Sequence, residues 1–137
     1  MLVTCLLAVA CLAPAVRAGV VRVEIQSRAD VLGGREFGLA GPYEKLIGKV
    51  YFAVDPANPI NKIIADVDKA PRNAEGKVEF SSDLYVLQPK RPERGNGAAL
   101  YEVSNRGRKG MLGMFNRASG SLDPASEADF GDGFLLK

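Results

Sequence analysis

The chain has 137 residues, of which 47% are hydrophobic and 25% charged, with a formal net charge of +2. This composition is typical of a single globular domain, and so small a charge gives no long-range field that would favour nucleic acid as a partner. The sequence contains no histidine, which excludes a Ser-His-Asp site, a Cys-His site and a His-ligated metal within these residues. We therefore expect no cofactor and no metal.

The first 18 residues have the features of an export signal. Leu2–Val16 is an apolar run, and small residues flank Arg17 before a cleavage site predicted after Ala18. The run is shorter than the roughly 20 residues of a membrane span, so we expect residues 19–137 to be released into the periplasm or outside the cell. The alternatives are a hydrophobic first strand or helix of the domain, and a lipoprotein anchored at Cys11.

The cysteines bear on the same question, because both lie in that N-terminal segment. Cleavage after Ala18 would remove Cys5 and Cys11 together and leave no thiol in the mature chain. A disulfide framework and thiol catalysis are therefore excluded for residues 19–137.

Extended segments dominate the first two thirds of the predicted domain. Their apolar residues alternate with polar ones or are β-branched, and Pro, Gly and Asn separate them. Gly48 marks a possible bulge or bend in the second segment. The five predicted strands are Val20–Ser27, Tyr43–Val54, Ile60–Asp68, Lys77–Leu87 and Ala98–Val103. Such a succession without long helices predicts an antiparallel or mixed β region.

A different pattern follows Gly107. Apolar residues between Met111 and Phe115 have the spacing of one face of a short helix. Asp123 followed by Pro124 predicts the N-cap and first residue of another helical turn. Leu135 and Leu136 have the character of residues that open a further element. We therefore expect residues 19–137 to be the N-terminal portion of a larger domain.

Three short motifs have structural explanations that we prefer to functional ones. Gly41–Lys49 is superficially similar to a phosphate loop, but its glycines are too far apart and Val50 stands where Ser or Thr would contact magnesium. We interpret it as a strand. Asp129–Gly131 matches the kinase magnesium tripeptide by chance, because the other kinase motifs are missing. Asp66 and Asp68 are interpreted as a solvated strand face.

The segment from Ala98 to Gly107 is the best candidate site. A buried strand is predicted to end in Asn105, Arg106 and Gly107, directly before a short helix. Loops of this kind supply a backbone N–H to the oxyanion hole of acyl-transfer enzymes, and glycine permits close approach of the substrate. The alternative is a strand-to-helix turn with a purely structural role, which is common.

Three long blocks of the sequence carry a family resemblance. Phe37–Pro56, Ala70–Pro89 and Leu100–Lys109 resemble bacterial α/β hydrolase domain-containing proteins. The resemblance covers nearly all of Val20–Lys137. It implies the N-terminal, β-rich part of an α/β-hydrolase fold, with antiparallel strands at the edge of a mixed sheet and Leu100–Val103 as an early central strand. By analogy with other hydrolases, the loop at 105–107 then lies at the oxyanion site.

The functional expectation follows from the same resemblance. It implies an exported serine-hydrolase-like protein, of esterase type, acting on a small-molecule ester. The nucleophile, the acid and the histidine would lie beyond Lys137, so these residues alone would be catalytically incomplete. The alternative is a non-catalytic secreted β-rich module that binds carbohydrate or a surface ligand. We expect no nucleic-acid partner and no membrane span after signal cleavage.

Overall fold

The computed structural model describes residues 19–104 and 107–137, and the predicted signal segment lies outside them. The described residues contain four strands, two short helices and several 3-10 turns. The strands are β1 (Val20–Asp30), β2 (Glu36–Phe37), β3 (Gly41–Val54) and β4 (Val78–Pro89). The helices are α1 (Met111–Asn116) and α2 (Glu127–Phe130). The fold of these residues is therefore β-rich, with little helix.

Strand β3 is the centre of the sheet. It pairs with β1 along one edge and with β4 along the other, while the short β2 pairs with its first residues. Every one of these described pairings is antiparallel, which confirms the antiparallel character predicted for the first strands. The strands predicted at Val20–Ser27, Tyr43–Val54 and Lys77–Leu87 are confirmed as β1, β3 and β4, although each strand extends beyond one predicted limit.

The part of the sheet formed by residues 22–25 of β1, 48–52 of β3 and 80–84 of β4 has two chemically different faces. Residues that pair directly across strands lie on the same face, so the register assigns each side chain to one of them. One face, called here the apolar face, carries Val23, Ile25, Val50, Phe52, Phe80 and Leu84. The opposite, polar face carries Arg22, Glu24, Lys49, Tyr51 and Asp83. The rings of Phe52 and Phe80 stack with their centroids 4.9 Å apart.

Gly48 lies where two backbones approach closely. A Cβ at this position would overlap the carbonyl oxygen of Glu24 on β1. The bulge predicted at Gly48 itself is instead in β1, where the register shifts between Ile25 and Ser27, directly beside the partner of Gly48. The glycine is thus required by a neighbouring strand, and β3 remains regular through it.

The larger hydrophobic cluster joins the start of the sheet to the end of the described chain. Its buried members are Val31, Phe37, Ala40, Tyr43, Phe130 and Leu136. The ring of Phe37 meets that of Tyr43 edge to face at 5.6 Å. Leu136 was expected to open a further element, but the structure has it in a turn, 4% exposed and packed in this cluster.

A buried asparagine holds the C-terminal segment in place. Asn116 is 1% exposed, and its Nδ2 donates to the carbonyl oxygen of Phe130 at 2.7 Å. Its Oδ1 accepts from the backbone N–H of Leu135 at 3.1 Å. Gly131 and Gly133 lie against this turn so closely that a Cβ at either would overlap backbone atoms. One side chain therefore joins α1, α2 and the final turn.

The predicted strand Ile60–Asp68 is wrong. Its place is taken by a 3-10 turn at Pro59–Ile63 and a series of further turns. The Asn58 side chain accepts from the Ile60 N–H at 3.0 Å and starts the turn, which outweighs the β-branched composition of the segment. Val67 still becomes buried, in a small second cluster with Val54 and Val78.

The predicted strand Ala98–Val103 is also wrong. These residues have no secondary structure, and Leu100, Tyr101 and Val103 are 55%, 84% and 80% exposed. No strand among residues 19–104 and 107–137 lies beside them to supply hydrogen bonds. An apolar sequence alone does not make a strand, because a ladder needs a neighbour.

The short helix predicted after Gly107 is confirmed as α1, but the cap predicted at Asp123 is wrong. Helix α2 begins at Glu127, and its N-cap is Ser126, whose side chain forms a reciprocal capping box with Asp129. Asp123 is engaged elsewhere, as described below. A capped helical turn is therefore present in this region, but its N-cap lies three residues later than predicted.

Candidate functional site

The predicted oxyanion loop is only partly visible. Asn105 and Arg106 lie outside the described residues. Gly107 is exposed, has a φ of +76°, and has open space where a Cβ would stand. This left-handed conformation favours glycine. Gly107 thus has the backbone geometry expected of a glycine in a loop that a substrate approaches, and equally that of an ordinary turn.

Backbone amides just beyond the loop already hold a carboxylate. The N–H of Gly110 donates to both oxygens of Glu102 at 2.9 and 3.1 Å, and that of Met111 donates at 3.3 Å. The charge of Glu102 suits the N-terminal end of α1. This contact joins Glu102 to the first residues of α1. The two amides are therefore occupied and not available to a substrate in this conformation.

A cluster of charged and phenolic groups lies on the sheet beneath this loop. Lys45 on β3 donates to a carboxylate oxygen of Asp123 at 2.6 Å and to the carbonyl oxygen of Pro124 at 3.3 Å. Lys109 donates to the carbonyl oxygen of Leu122 and places its ammonium 4.1 Å from the ring centroid of Tyr85. The two lysines therefore tie the C-terminal segment to β3 and β4.

Tyr85 is the unusual member of this cluster. Its hydroxyl is buried and finds no hydrogen-bond partner among the described residues. Burial raises the pKa of Tyr85 well above its usual range, and the negative charge of Asp123 adds to the effect. A phenol held neutral in this way can donate a hydrogen bond but cannot act as a base at neutral pH.

The buried carboxylate of Glu44 is fully engaged. It accepts two hydrogen bonds from the guanidinium of Arg28, both at 2.8 Å, and one from the amide of Gln88 at 2.7 Å. All three residues are neighbours on β1, β3 and β4. A carboxylate with its oxygens occupied in this way stabilises the sheet and has no free position for general base chemistry.

The segment similar to a phosphate loop, the kinase-like tripeptide and Asp66 all have structural roles. Gly41–Lys49 forms part of β3 and no phosphate cradle. Asp129 caps α2, and hydrogen bonds from the N–H and hydroxyl of Ser126 and from the N–H of Ala125 lower the pKa of its carboxyl. Asp66 was predicted to lie on a strand, and this is wrong. It lies in a turn with a φ of +55°, where its carboxylate pairs with the ammonium of Lys69 at 2.6 Å.

The described residues do not assemble a recognisable catalytic or metal site. Within the ranges 19–104 and 107–137, no group of three potential ligands could hold a metal ion. No helix in those ranges is long and apolar enough to cross a membrane. Sequence reasoning missed the roles of Glu102, Tyr85 and Lys109. No local sequence pattern marked any of them, because each contact joins residues that are distant along the chain.

Comparison with protein-family models, with curated proteins and with solved structures found no match.

Proposed function

We propose that the chain is the N-terminal, β-rich part of an exported serine-hydrolase-like protein with an α/β-hydrolase fold, acting on a small-molecule ester. The observation that carries the proposal is the segment around Leu100–Val103. It is rich in apolar residues yet exposed, it pairs with no strand among the described residues, and it leads through Gly107 at positive φ into α1. That is the condition expected of a central strand whose neighbours lie elsewhere in a larger sheet.

The proposed chemistry is acyl transfer. A serine beyond Lys137 attacks the ester carbonyl, its proton passes to a histidine, and the alcohol leaves with that proton. Water then hydrolyses the acyl-enzyme. Residues 105–107 would contribute a backbone N–H to the oxyanion that forms on the carbonyl oxygen. Tyr101 is exposed and lies in the segment directly before that loop.

The first test is to read the gene beyond the codon for Lys137. An open frame that encodes Gly-x-Ser-x-Gly and a later histidine is the expected result. The product should hydrolyse p-nitrophenyl esters and be labelled by a fluorophosphonate, and replacing that serine with alanine should abolish both. Purified residues 19–137 should show no hydrolysis above background. A stop codon directly after Lys137, or turnover by residues 19–137 that survives mutation of every serine, would overturn the proposal.

The role of the loop has its own matched control. Gly107 and Gly76 have φ values of +76° and +75°, and both have open space at the Cβ position. Gly107→Val and Gly76→Val should therefore impose similar backbone strain. In the longer protein we expect kcat to fall only for Gly107→Val, with KM nearly unchanged. Equal effects of the two substitutions would show that the loop is an ordinary turn.

A second candidate is a non-catalytic secreted module that binds a surface ligand. It is favoured by the exposure of large hydrophobic residues on the apolar face, including Val23, Ile25 and Phe80. A self-sufficient module should melt in one cooperative transition and remain monodisperse. Loss of that cooperative transition in residues 19–137, with the transition present in the longer protein, would instead support the incomplete hydrolase sheet, whose strand edges lack partners within these residues.

A further inference from the structure

Strand β1 is an edge strand of the sheet that the described residues form. It pairs only with β3 among the described strands, and ten of its eleven residues are exposed. Its outward N–H and C=O groups can therefore accept another strand. The exposed residues include Val21, Val23 and Ile25, three β-branched side chains that favour strand pairing.

We propose that two copies of the chain pair through β1, antiparallel, about a two-fold axis at Val23. In this register Val23 lies opposite Val23 of the second copy, at the centre of the regular stretch of β1. Arg22 on the polar face then lies opposite Glu24 of the second copy, and the symmetry forms this pair twice. Opposite charges and β-branched residues directly across a ladder stabilise the pairing.

Neighbouring registers are unfavourable. A shift that centres the pairing on Glu24 brings two carboxylates face to face, and one centred on Ile25 places Arg22 opposite Arg28. A shift of the second copy by one residue places Val23 opposite Glu24. The apolar face of one copy then continues into the polar face of the other. The other edge is unsuitable as well. The exposed stretch of β4 would place Glu79 opposite Asp83 of the second copy.

The two bulges of β1 limit the interface. The register with β3 shifts between Val20 and Arg22 and again between Ile25 and Ser27. Regular backbone is thus confined to the central residues, where the charge pattern is self-complementary, and the bent ends oppose further slippage. An isologous contact of this kind closes on itself and gives a dimer, not a fibre.

The charged pair is already ordered in the single chain. The guanidinium of Arg22 stacks 3.7 Å from the ring centroid of Tyr51, and the Tyr51 hydroxyl donates to Glu24 at 3.1 Å. Arg22 also donates to Glu24 of its own strand. Because these side chains are held on the polar face before association, less side-chain entropy is lost when the second copy binds.

Sedimentation of the full chain over a range of concentrations tests the proposal. We expect a species of twice the monomer mass that dissociates on dilution. Arg22→Glu and Glu24→Arg should each remain monomeric, because every cross-strand pair then has like charges. An equimolar mixture should restore the dimer, although the pairs within each strand remain repulsive. Wild-type chain that stays monomeric, or a mixture that does not associate, would overturn the proposal, as would polymers longer than two copies.

Disulfide trapping tests the register independently. In a chain carrying Cys5→Ser and Cys11→Ser, Val23→Cys places two thiols opposite each other at a Cα separation of roughly 4.5–5.5 Å, within disulfide range. Val21→Cys is the control, because its thiols would be separated by about 13 Å along the strand. We expect oxidation to cross-link only the Val23→Cys variant. Equal cross-linking of both variants would contradict the register.

Discussion

Replacing Asn116 with alanine should be among the most destabilising single changes in the described chain. The substitution removes two hydrogen bonds, to the carbonyl oxygen of Phe130 and from the N–H of Leu135, in a position that is 1% exposed. Each such bond contributes about 1 kcal/mol net, and a buried group left unsatisfied costs about 1–3 kcal/mol more. Because water can reach part of the loosened turn, we expect a loss of about 2–4 kcal/mol.

Urea unfolding followed by circular dichroism measures that loss as a lower midpoint at constant slope. Asn61→Ala is the matched control, because the Asn61 amide also donates to a backbone carbonyl, at 2.9 Å, but in an exposed loop. It should cost under about 1 kcal/mol. Hydrogen exchange at the Leu135 amide should accelerate in the Asn116 variant alone. If the two substitutions have equal effects, the reasoning about the buried asparagine is refuted.

Three further predictions concern other parts of the fold. Gly48→Ala should destabilise by more than about 2 kcal/mol in a urea titration, because its Cβ overlaps a β1 carbonyl, whereas Gly113→Ala within α1 should be neutral or stabilising by up to about 1 kcal/mol. Because the pKa of Tyr85 is raised on folding, its contribution to the free energy of unfolding is complete below about pH 10 and is lost as the pH rises further. In urea titrations at increasing alkaline pH, the free energy of unfolding of Tyr85→Phe should therefore fall less steeply than that of the wild type. Glu102→Ala should speed amide exchange at Gly110, and Glu102→Gln should do so less.

The sequence predicted the sheet better than the connections. Alternating residues predicted β1 and β4, and β3 was predicted as an extended segment between the turn signals at Gly41-Pro42 and Asp55-Pro56. Ile60–Asp68 was mistaken because a β-branched composition is a weaker determinant than the Asn58-Pro59 turn signal in front of it. Ala98–Val103 was mistaken because pairing depends on a neighbour, which the segment's own composition does not reveal.

The candidate site was less predictable than the sheet. Gly107 could be singled out from its place between an apolar run and a helix. The cluster of Lys45, Tyr85 and Lys109 could not, since its members are far apart in sequence. Lys45 and Tyr85 come together because β3 pairs with β4, and Lys109 reaches Tyr85 from the segment before α1. Asp123 shows the same difficulty. Its sequence context fits a helix cap, but an ion pair with Lys45 claims its carboxylate.

The burial of Leu136 has a consequence for the order of events during synthesis. The β1–β3–β4 sheet is complete once Pro89 has left the ribosome, but the cluster around Tyr43 lacks two members until Phe130 and Leu136 follow. The 47 residues from Lys90 to Leu136 take about 2–9 s at roughly 5–20 residues per second. During that interval the part of the sheet around Tyr43 stands uncovered, which is when a holdase chaperone has most apolar surface to bind there.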